Sequence, residues 1–383
     1  MIFMLRILLA GGGTAGHVNP ALAIAEIIKE KHSDAEFAFA GTPDGIEARL
    51  VANAGYKFYP IKIKGFQRKI NLNNIKRNVK AASYLLTAGK NANKIIDDFK
   101  PDLVIGTGGY VAGPIVRAAA KKGIKTAIHE QNAYPGVTNK LLSKVVDKVM
   151  LTVKEAQDYL EKDVDCTVTG LPVRKSFLAV EKAYAREKLG ISSDAVCILS
   201  TGGSLGARTI NNSARALFKW YQKENIDVYH IHSYGTYAGY KSYKDELKAE
   251  GIDTQNKRFI ISDYLDMSVC MAASDLVISR CGANTLNELE SVGRGAILIP
   301  SPNVAGNHQY YNGMVLQNAD AAVVIEEKNL TDEKIVSEVS ELIKSKDRLN
   351  ALSKNAGSLY IKDTNDRIYS VLSELLKDVI LKG

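Results

Sequence analysis

Leu8-Leu9-Ala10-Gly11-Gly12-Gly13-Thr14-Ala15-Gly16-His17 carries the plan of the whole chain. Ile198-Leu199-Ser200-Thr201-Gly202-Gly203-Ser204-Leu205-Gly206-Ala207-Arg208 repeats that plan about half a chain later. Each stretch is a short apolar run, a glycine turn and the opening of a helical pattern. A continuous apolar run of this length predicts a strand buried on both faces, as in a parallel sheet covered by helices. Working outward, further runs of the same kind lie at Met4–Ala10, Ala35–Ala40, Asp102–Ile105, Thr126–His129, Lys148–Thr152 and Cys166–Thr169. A second set lies at Val196–Thr201, Val228–His232, Arg258–Ser262, Leu276–Ser279, Ala296–Pro300 and Ala322–Ile325. Helical periods such as Pro20–Lys31 and Ile210–Glu224 separate most of them. Strands alternating with helices predict an α/β chain of two Rossmann-like, doubly wound domains. Gly170-Leu171-Pro172-Val173-Arg174 reads as the linker, and the tail after Leu330 reads as wholly helical.

Composition narrows the function classes. The chain has 383 residues, 46% hydrophobic and 24% charged, an ordinary globular balance that excludes disorder, collagen and disulfide scaffolds. No apolar run reaches the roughly 18 residues of a spanning helix. The N-terminal MIFMLRILLAGGG breaks on glycines too soon for a signal peptide and reads as a first strand. Cys166, Cys197, Cys270 and Cys281 are scattered without paired spacing, which suits a reducing cytoplasm and argues against structural zinc.

Charge is concentrated in one place. Lys and Arg number 50 against 42 Asp and Glu, yet from Ala48 to Ile96 there are eleven basic residues and no acid. Such a block points to an anionic partner, a membrane surface or nucleic acid. No RNA- or DNA-binding signature accompanies it, so no nucleic-acid partner is expected. Leu72, Ile75, Val79, Ala82 and Leu86 recur there at helical spacing, with Arg68, Lys69, Lys76, Arg77 and Lys80 nearby.

The glycine turns invite a phosphate, because strand-end glycines let backbone N–H groups approach it beside a helix N-terminus. Gly11-x-Gly13-x-x-Gly16 also matches a dinucleotide fingerprint. That fingerprint wants an acid about 20 residues on, at the end of the second strand. Here that strand ends Ala40-Gly41-Thr42, with no acid before Asp44. His17 stands at the first helix start, where an open α/β sheet places its ligands, and histidine titrates near neutrality, which suits a general base. Glu130 or a water-mediated route remains open as an alternative base. His230 and His232 share a strand face without a third ligand, and Asp163-x-Asp165 reads as a solvated turn. No metal is required by these residues, although Mg²⁺ could assist.

Several motifs come in one order: Gly11–Glu26, Thr107–Pro114, His129–Asn132 (HEQN), Gly136–Lys140, Gly170–Arg174, Gly202–Arg208 and Ser279–Glu288. With them the chain resembles the MurG family, bacterial transferases that convert lipid I to lipid II in peptidoglycan synthesis. The resemblance spans nearly the whole chain. It implies a GT-B fold, two Rossmann-like domains facing a cleft with a C-terminal helix crossing back. The implied limits are 1–170 for an acceptor and membrane-docking domain, 171–355 for a UDP-N-acetylglucosamine-binding domain and 356–383 for the returning helix. It implies an inverting transfer of N-acetylglucosamine from UDP-N-acetylglucosamine to the 4-hydroxyl of lipid I.

By motif position, His17 is the implied base. Donor contacts fall on Thr14, Ala15, Gly16, Asn132, Arg174, Ser204, Leu265, Glu288 and Gln309. Glu288 stands as the ribose acid, Arg174 at the diphosphate, and Gln309 at the sugar hydroxyls. Ala15 replaces a glycine common in the family, and Tyr234 interrupts a family motif, so His232 receives no role. The basic segment then has a partner in the anionic cytoplasmic membrane face, with Arg68, Lys69, Leu72, Ile75, Lys76, Arg77 and Val79 as the peripheral dock. Two other functions stay open: a GT-B transferase with another lipid acceptor, and an NAD-dependent oxidoreductase.

Overall fold

The computed structural model describes residues 4–63 and 87–380. These form two compact units, Met1–Pro172 with Asp363–Gly383, and Val173–Lys362. Each unit is built on one parallel sheet.

In the first unit the strands are β1 (Arg6–Gly11), β2 (Glu36–Gly41), β3 (Lys57–Pro60), β4 (Leu103–Gly108), β5 (Lys125–Glu130), β6 (Lys148–Leu151) and β7 (Cys166–Val168). They lie in the order β3-β2-β1-β4-β5-β6-β7. In the second unit β8 (Val196–Thr201), β9 (Val228–Ser233), β10 (Phe259–Ser262), β11 (Leu276–Ser279), β12 (Gly295–Leu298) and β13 (Ala322–Val324) lie in the order β10-β9-β8-β11-β12-β13. Both sheets therefore change direction beside their first strand, between β1 and β4 and between β8 and β11. Open α/β sheets bind ligands outside the carboxyl ends of strands at such a switch point.

The apolar runs behave as a doubly covered sheet requires. Along β1, Ile7 and Leu9 pack into one core and Leu8 and Ala10 into the other, all fully buried. Along β8, Cys197 and Leu199 face one core while Ile198 faces the opposite one. The edge strand β3, Lys-Phe-Tyr-Pro, was absent from the sequence expectation. It is short, exposed at both ends with Phe58 and Tyr59 half-buried between, and ends on a proline that cannot donate to a ladder.

The chain leaves the first unit at Pro172, inside the Gly170–Arg174 stretch, and re-enters it at Asp363. This moves the expected limits at 170/171 and 355/356. The later shift has a physical cause: the helix Lys346–Leu359 runs unbroken and buries Leu349, Leu352 and Ala356 in the second unit. The last helix, Thr364–Ile380, then returns to the first unit. Ile368, Val371, Leu372, Leu375 and Leu376 join Ile7, Leu9, Ile24 and Ile28 in one core. At about 2 kcal/mol per buried side chain this docking contributes on the order of 10 kcal/mol as an upper bound.

Candidate active site

In the first unit the loops after β1 and β4 press together backbone to backbone. The register between these strands slips at Ala10/Gly11, which sets Gly11 opposite Gly108. A Cβ on Gly11 would lie 2.1 Å from Thr107 Oγ1, and that hydroxyl donates to His17 O at 2.7 Å. Gly108 has φ +105, and a Cβ there would lie 2.8 Å from His17 Nδ1. The glycine thus makes room for the imidazole ring.

Glu47 organises the same loop from below. Its side chain is buried, and its carboxylate accepts from Gly13 N at 3.2 Å, Thr42 N at 3.0 Å and Thr42 Oγ1 at 2.6 Å. Burial pushes its pKa up, but the hydrogen bonds from the Thr42 hydroxyl and the backbone amides outweigh that and hold it below the ordinary value. The Gly13 amide is therefore committed to an internal carboxylate. A dinucleotide-binding loop would aim that amide at a pyrophosphate, so the geometry argues against the oxidoreductase reading.

His17 is held from the side by the end of β5. His17 Nδ1 lies 3.0 Å from Gln131 Oε1, and Gln131 Nε2 donates to His129 O at 2.8 Å. His17 Nε2 has no protein hydrogen-bond partner among the described residues. Glu130, the alternative base, is fully engaged elsewhere. Its Oε1 accepts from Asn132 N and Nδ2 at 2.9 and 3.0 Å, and its Oε2 from Gly136 N and Asn139 Nδ2 at 3.0 and 2.8 Å. A buried carboxylate saturated by four donors shapes the loop 130–139 and has no lone pair turned to a substrate.

In the second unit the loop after β8 packs against the loop after β9. A Cβ on Gly206, φ +78, would lie 2.0 Å from Tyr234 O. Thr236 N and Oγ1 both donate to Ser204 O at 3.0 Å, which ties the exposed loop down at that residue. The helices that follow, Arg208–Lys223 after β8 and Ala283–Ser291 after β11, start with no side-chain cap and no acid in the first turn. Asp266, Thr331 and Ser345 cap helices elsewhere in this unit, while Lys182–Leu189 and His308–Asn318 also start without a side-chain cap, so position is what marks these two. Two uncapped N-termini at the switch point leave amide donors and positive dipole for an anion.

Arg174 and Glu288 meet directly, with Arg174 Nη2 and Nε donating to Glu288 Oε1 at 2.7 and 3.1 Å. Burial raises the Glu288 pKa, partly offset by the charge and hydrogen bond of Arg174. The arginine side chain is 61% exposed, so it can reach an incoming anion. Gln309 Oε1 accepts from Ser301 N at 2.9 Å and Cys281 N at 3.3 Å, which turns its amide NH₂ into the available donor. Leu265 follows β10 in the loop before the helix Met267–Ala273 and packs partly against the core.

Of the expected site residues, Thr14 and Asn132 lie on loops of the first unit, and Ala15, Gly16 and His17 form the first turn of the helix Ala15–Lys31 that follows β1. Arg174, Ser204, Leu265, Glu288 and Gln309 lie in the second unit, where Arg174 and Glu288 touch. The expected dock, Arg68, Lys69, Leu72, Ile75, Lys76, Arg77 and Val79, lies outside the described residues. Gln131 and Glu47 were given no role from the sequence. His230 and His232 are fully buried and share Ser200 Oγ at 2.7 Å each, as strand packing requires. Among the described residues no group of three His, Cys, Asp or Glu is placed to hold a metal.

Two parallel Rossmann-order sheets with ligand-type loops at their carboxyl edges define a GT-B class protein. Residues 7–151 match the model of the glycosyltransferase family 28 N-terminal domain, and residues 197–368 that of its C-terminal domain. A protein of Acetivibrio thermocellus is 42% identical over 98% of this chain and 99% of its own length. One from Thermoanaerobacter pseudethanolicus is 41% identical over 97% and 100%. Both are named UDP-N-acetylglucosamine--N-acetylmuramyl-(pentapeptide) pyrophosphoryl-undecaprenol N-acetylglucosamine transferase. The solved structure of Acinetobacter baumannii MurG superposes with a TM-score of 0.78 at 26% identity, covering 97% of this chain and 100% of that one. A UDP-GlcNAc 2-epimerase from Neisseria meningitidis, TM-score 0.61 at 14% identity over 97% and 100%, shares the fold. The chain belongs to glycosyltransferase family 28 and, within it, to the MurG family.

Proposed function

We propose that the chain transfers N-acetylglucosamine from UDP-N-acetylglucosamine to the 4-hydroxyl of undecaprenyl-diphosphate-linked N-acetylmuramoyl-pentapeptide, lipid I, with inversion at the anomeric carbon. One observation carries the reading: in a family 28 chain, His17 stands at the β1–β4 switch point with Nδ1 engaged and Nε2 without a protein partner. The names of its near-full-length relatives support the same donor and acceptor.

In this reaction the acceptor oxygen attacks the anomeric carbon, whose bond to the β-phosphate oxygen breaks with its electron pair going to UDP. The 4-hydroxyl proton passes to His17. Such base assistance contributes typically 10²–10⁴ in rate. Thr14, Ala15, Gly16 and Asn132 contact the donor from the first unit. In the second unit Arg174, Ser204 and the two uncapped helix starts take the diphosphate, since a guanidinium matches phosphate oxygens bidentately. Glu288 takes the ribose hydroxyls, the backbone at Leu265 the uracil, and the Gln309 amide the sugar hydroxyls. Donor binding then moves Arg174 off Glu288 and frees that carboxylate.

The acceptor's lipid places the enzyme on the anionic cytoplasmic face of the membrane. We read the association as peripheral, with which the lack of any described helix long and apolar enough to cross a membrane is consistent. The basic segment Arg68–Val79 supplies the attraction, at about 1 kcal/mol per basic residue near the surface. A described apolar surface is compatible with it: Val137, Leu141 and Val145 are exposed, with Lys140 over the Tyr134 ring and Lys144 paired to Glu161 beside them.

A radiolabelled transfer assay with several UDP-sugars against lipid I, other polyprenyl diphosphates and diacylglycerol tests the reading. The expected product is the β-linked disaccharide lipid, from UDP-N-acetylglucosamine and lipid I alone. Transfer to diacylglycerol in preference to lipid I would replace the acceptor, and no transfer to any of them would end the proposal.

A further inference from the structure

Gln131 has no part in the reaction as written above, yet both ends of its amide are committed. We propose that Gln131 is a positioning residue that holds His17 as the Nδ1–H tautomer, so that Nε2 carries the lone pair that receives the acceptor proton. The inference rests on the transferase reading for its purpose, though its geometry stands independently.

The hydrogen bonds leave one assignment. Gln131 Nε2 lies 2.8 Å from His129 O, a carbonyl that only accepts, so the amide nitrogen belongs at that end. The amide oxygen then faces His17 Nδ1 at 3.0 Å and can only accept, which puts the proton on Nδ1. His129 locks the amide a second time. Its Nε2 lies 2.9 Å from Gly170 O, another pure acceptor, so Nε2 is protonated and Nδ1 bears a lone pair. That lone pair faces Gln131 Nε2 at 3.2 Å. Flipping the amide would set its oxygen against both the His129 carbonyl and the His129 lone pair.

Burial gives the lock its strength. Gln131 is 3% exposed and His129 fully buried, so an inverted amide would leave polar atoms unpaired away from water. Desolvation also depresses the His129 pKa, which keeps that ring neutral and its Nδ1 an acceptor. Gly108, with no side chain, lets the His17 ring lie at the angle that meets Gln131. A line of oriented bonds thus runs from Gly170 O through His129 and Gln131 to His17.

During transfer Nε2 takes the 4-hydroxyl proton as the new C–O bond forms and the anomeric carbon–phosphate oxygen bond breaks. The resulting imidazolium still donates Nδ1–H to Gln131 Oε1. That bond is charge-assisted after proton transfer and neutral before it, so it strengthens as the reaction proceeds. With the other tautomer Nε2 would carry a proton already and could not act as base.

The test is ¹⁵N imidazole NMR on the full chain, with the His17 signals assigned by their loss in His17→Ala. Wild type is expected to show a protonated Nδ1 and an unprotonated Nε2. In Gln131→Met, which removes the acceptor, the Nε2–H form should gain population. Its kcat should fall about 100-fold while KM for UDP-N-acetylglucosamine stays within a few-fold. Gln131→Glu keeps an acceptor opposite Nδ1 and, with its second oxygen protonated in this buried place to donate to His129 O, should restore the tautomer and part of the rate. Nε2–H in wild type overturns the proposal, a result that needs no variant to fold. A Gln131→Met enzyme that loses rate with an unchanged His17 spectrum overturns it too, since the residue would then be merely structural. Wild type that shows the Nδ1–H form but transfers no sugar sinks the transferase reading while supporting the tautomer assignment.

Discussion

The two glycine turns are spelled alike and work differently. In the first, Gly11 and Gly108 exist to let a hydroxyl and an imidazole come close, and the Gly13 amide is spent on the buried Glu47 carboxylate. In the second, Gly206 lets two loops meet, and the helix Arg208–Lys223 behind it starts without a side-chain cap, as Ala15–Lys31 does, while Glu327 accepts from the Thr209 hydroxyl in its first turn. One turn seats an imidazole, and the other seats a neighbouring loop. The same motif thus specifies a strand–turn–helix and says little about what the turn's amides bind. Their partners decide that, and these come from elsewhere in the chain.

The largest expected effect breaks the comparison at the base. His17→Ala should lower turnover by roughly 10²–10⁴ while UDP affinity, measured by calorimetry, stays within a few-fold. Near-normal turnover would make the first turn as passive as a structural cap. Next comes its anchor. Glu47→Gln swaps one acceptor oxygen for a donor facing amide and hydroxyl donors, and should cost about 2–4 kcal/mol in urea unfolding. Because the folded Glu47 pKa is depressed, the unfolded chain binds the extra proton in acid. The carboxylate's contribution is therefore complete above the unfolded carboxylate pKa and is lost as pH falls through the lower folded value. The gap between wild type and Glu47→Gln should narrow across that range, and a gap constant with pH would show that ionisation is irrelevant.

In the second unit Glu288→Ala should weaken UDP binding by roughly 1.5–3 kcal/mol, as for a charge-assisted hydrogen bond, with the fold intact. Equal affinity would remove Glu288 from the ribose. The smallest effect sharpens the contrast between turns. Gly203 has φ +84, but a Cβ there meets nothing within 4 Å. Gly203→Ala should cost only about 1 kcal/mol of left-handed strain in thermal unfolding, and a much larger loss would mean that this turn is as tightly packed as the first.

Most of the fold was legible because buried parallel strands leave continuous apolar runs. Met4–Ala10 and Val196–Thr201 could hardly be anything else. Lys57–Pro60 left no such trace, since an edge strand half in solvent needs no hydrophobic run. Of the candidate site, the sequence placed His17 beside the β1–β4 switch point, and the structure adds the contact of Arg174 with Glu288, residues 114 apart in the chain. Glu130 was misleading, because its carboxylate serves amides up to nine residues downstream. Glu47 and Gln131 were silent for a related reason. Their partners lie 34 and 114 residues away in sequence, and no local period records such a contact.

The returning helix inverts the order in which a ribosome can finish this molecule. Val173–Lys362 is one unbroken length of chain, and all of its core has been synthesised once Lys362 is made. The nascent first unit must wait with Ile7, Leu9, Ile24 and Ile28 incompletely covered until Ile368–Leu376 is translated. At about 5–20 residues per second, the roughly 200 residues in between take some 10–40 seconds to synthesise. The half that carries His17 is begun first and closed last, and throughout that interval its open apolar face is the chain's most exposed target for chaperones and for aggregation.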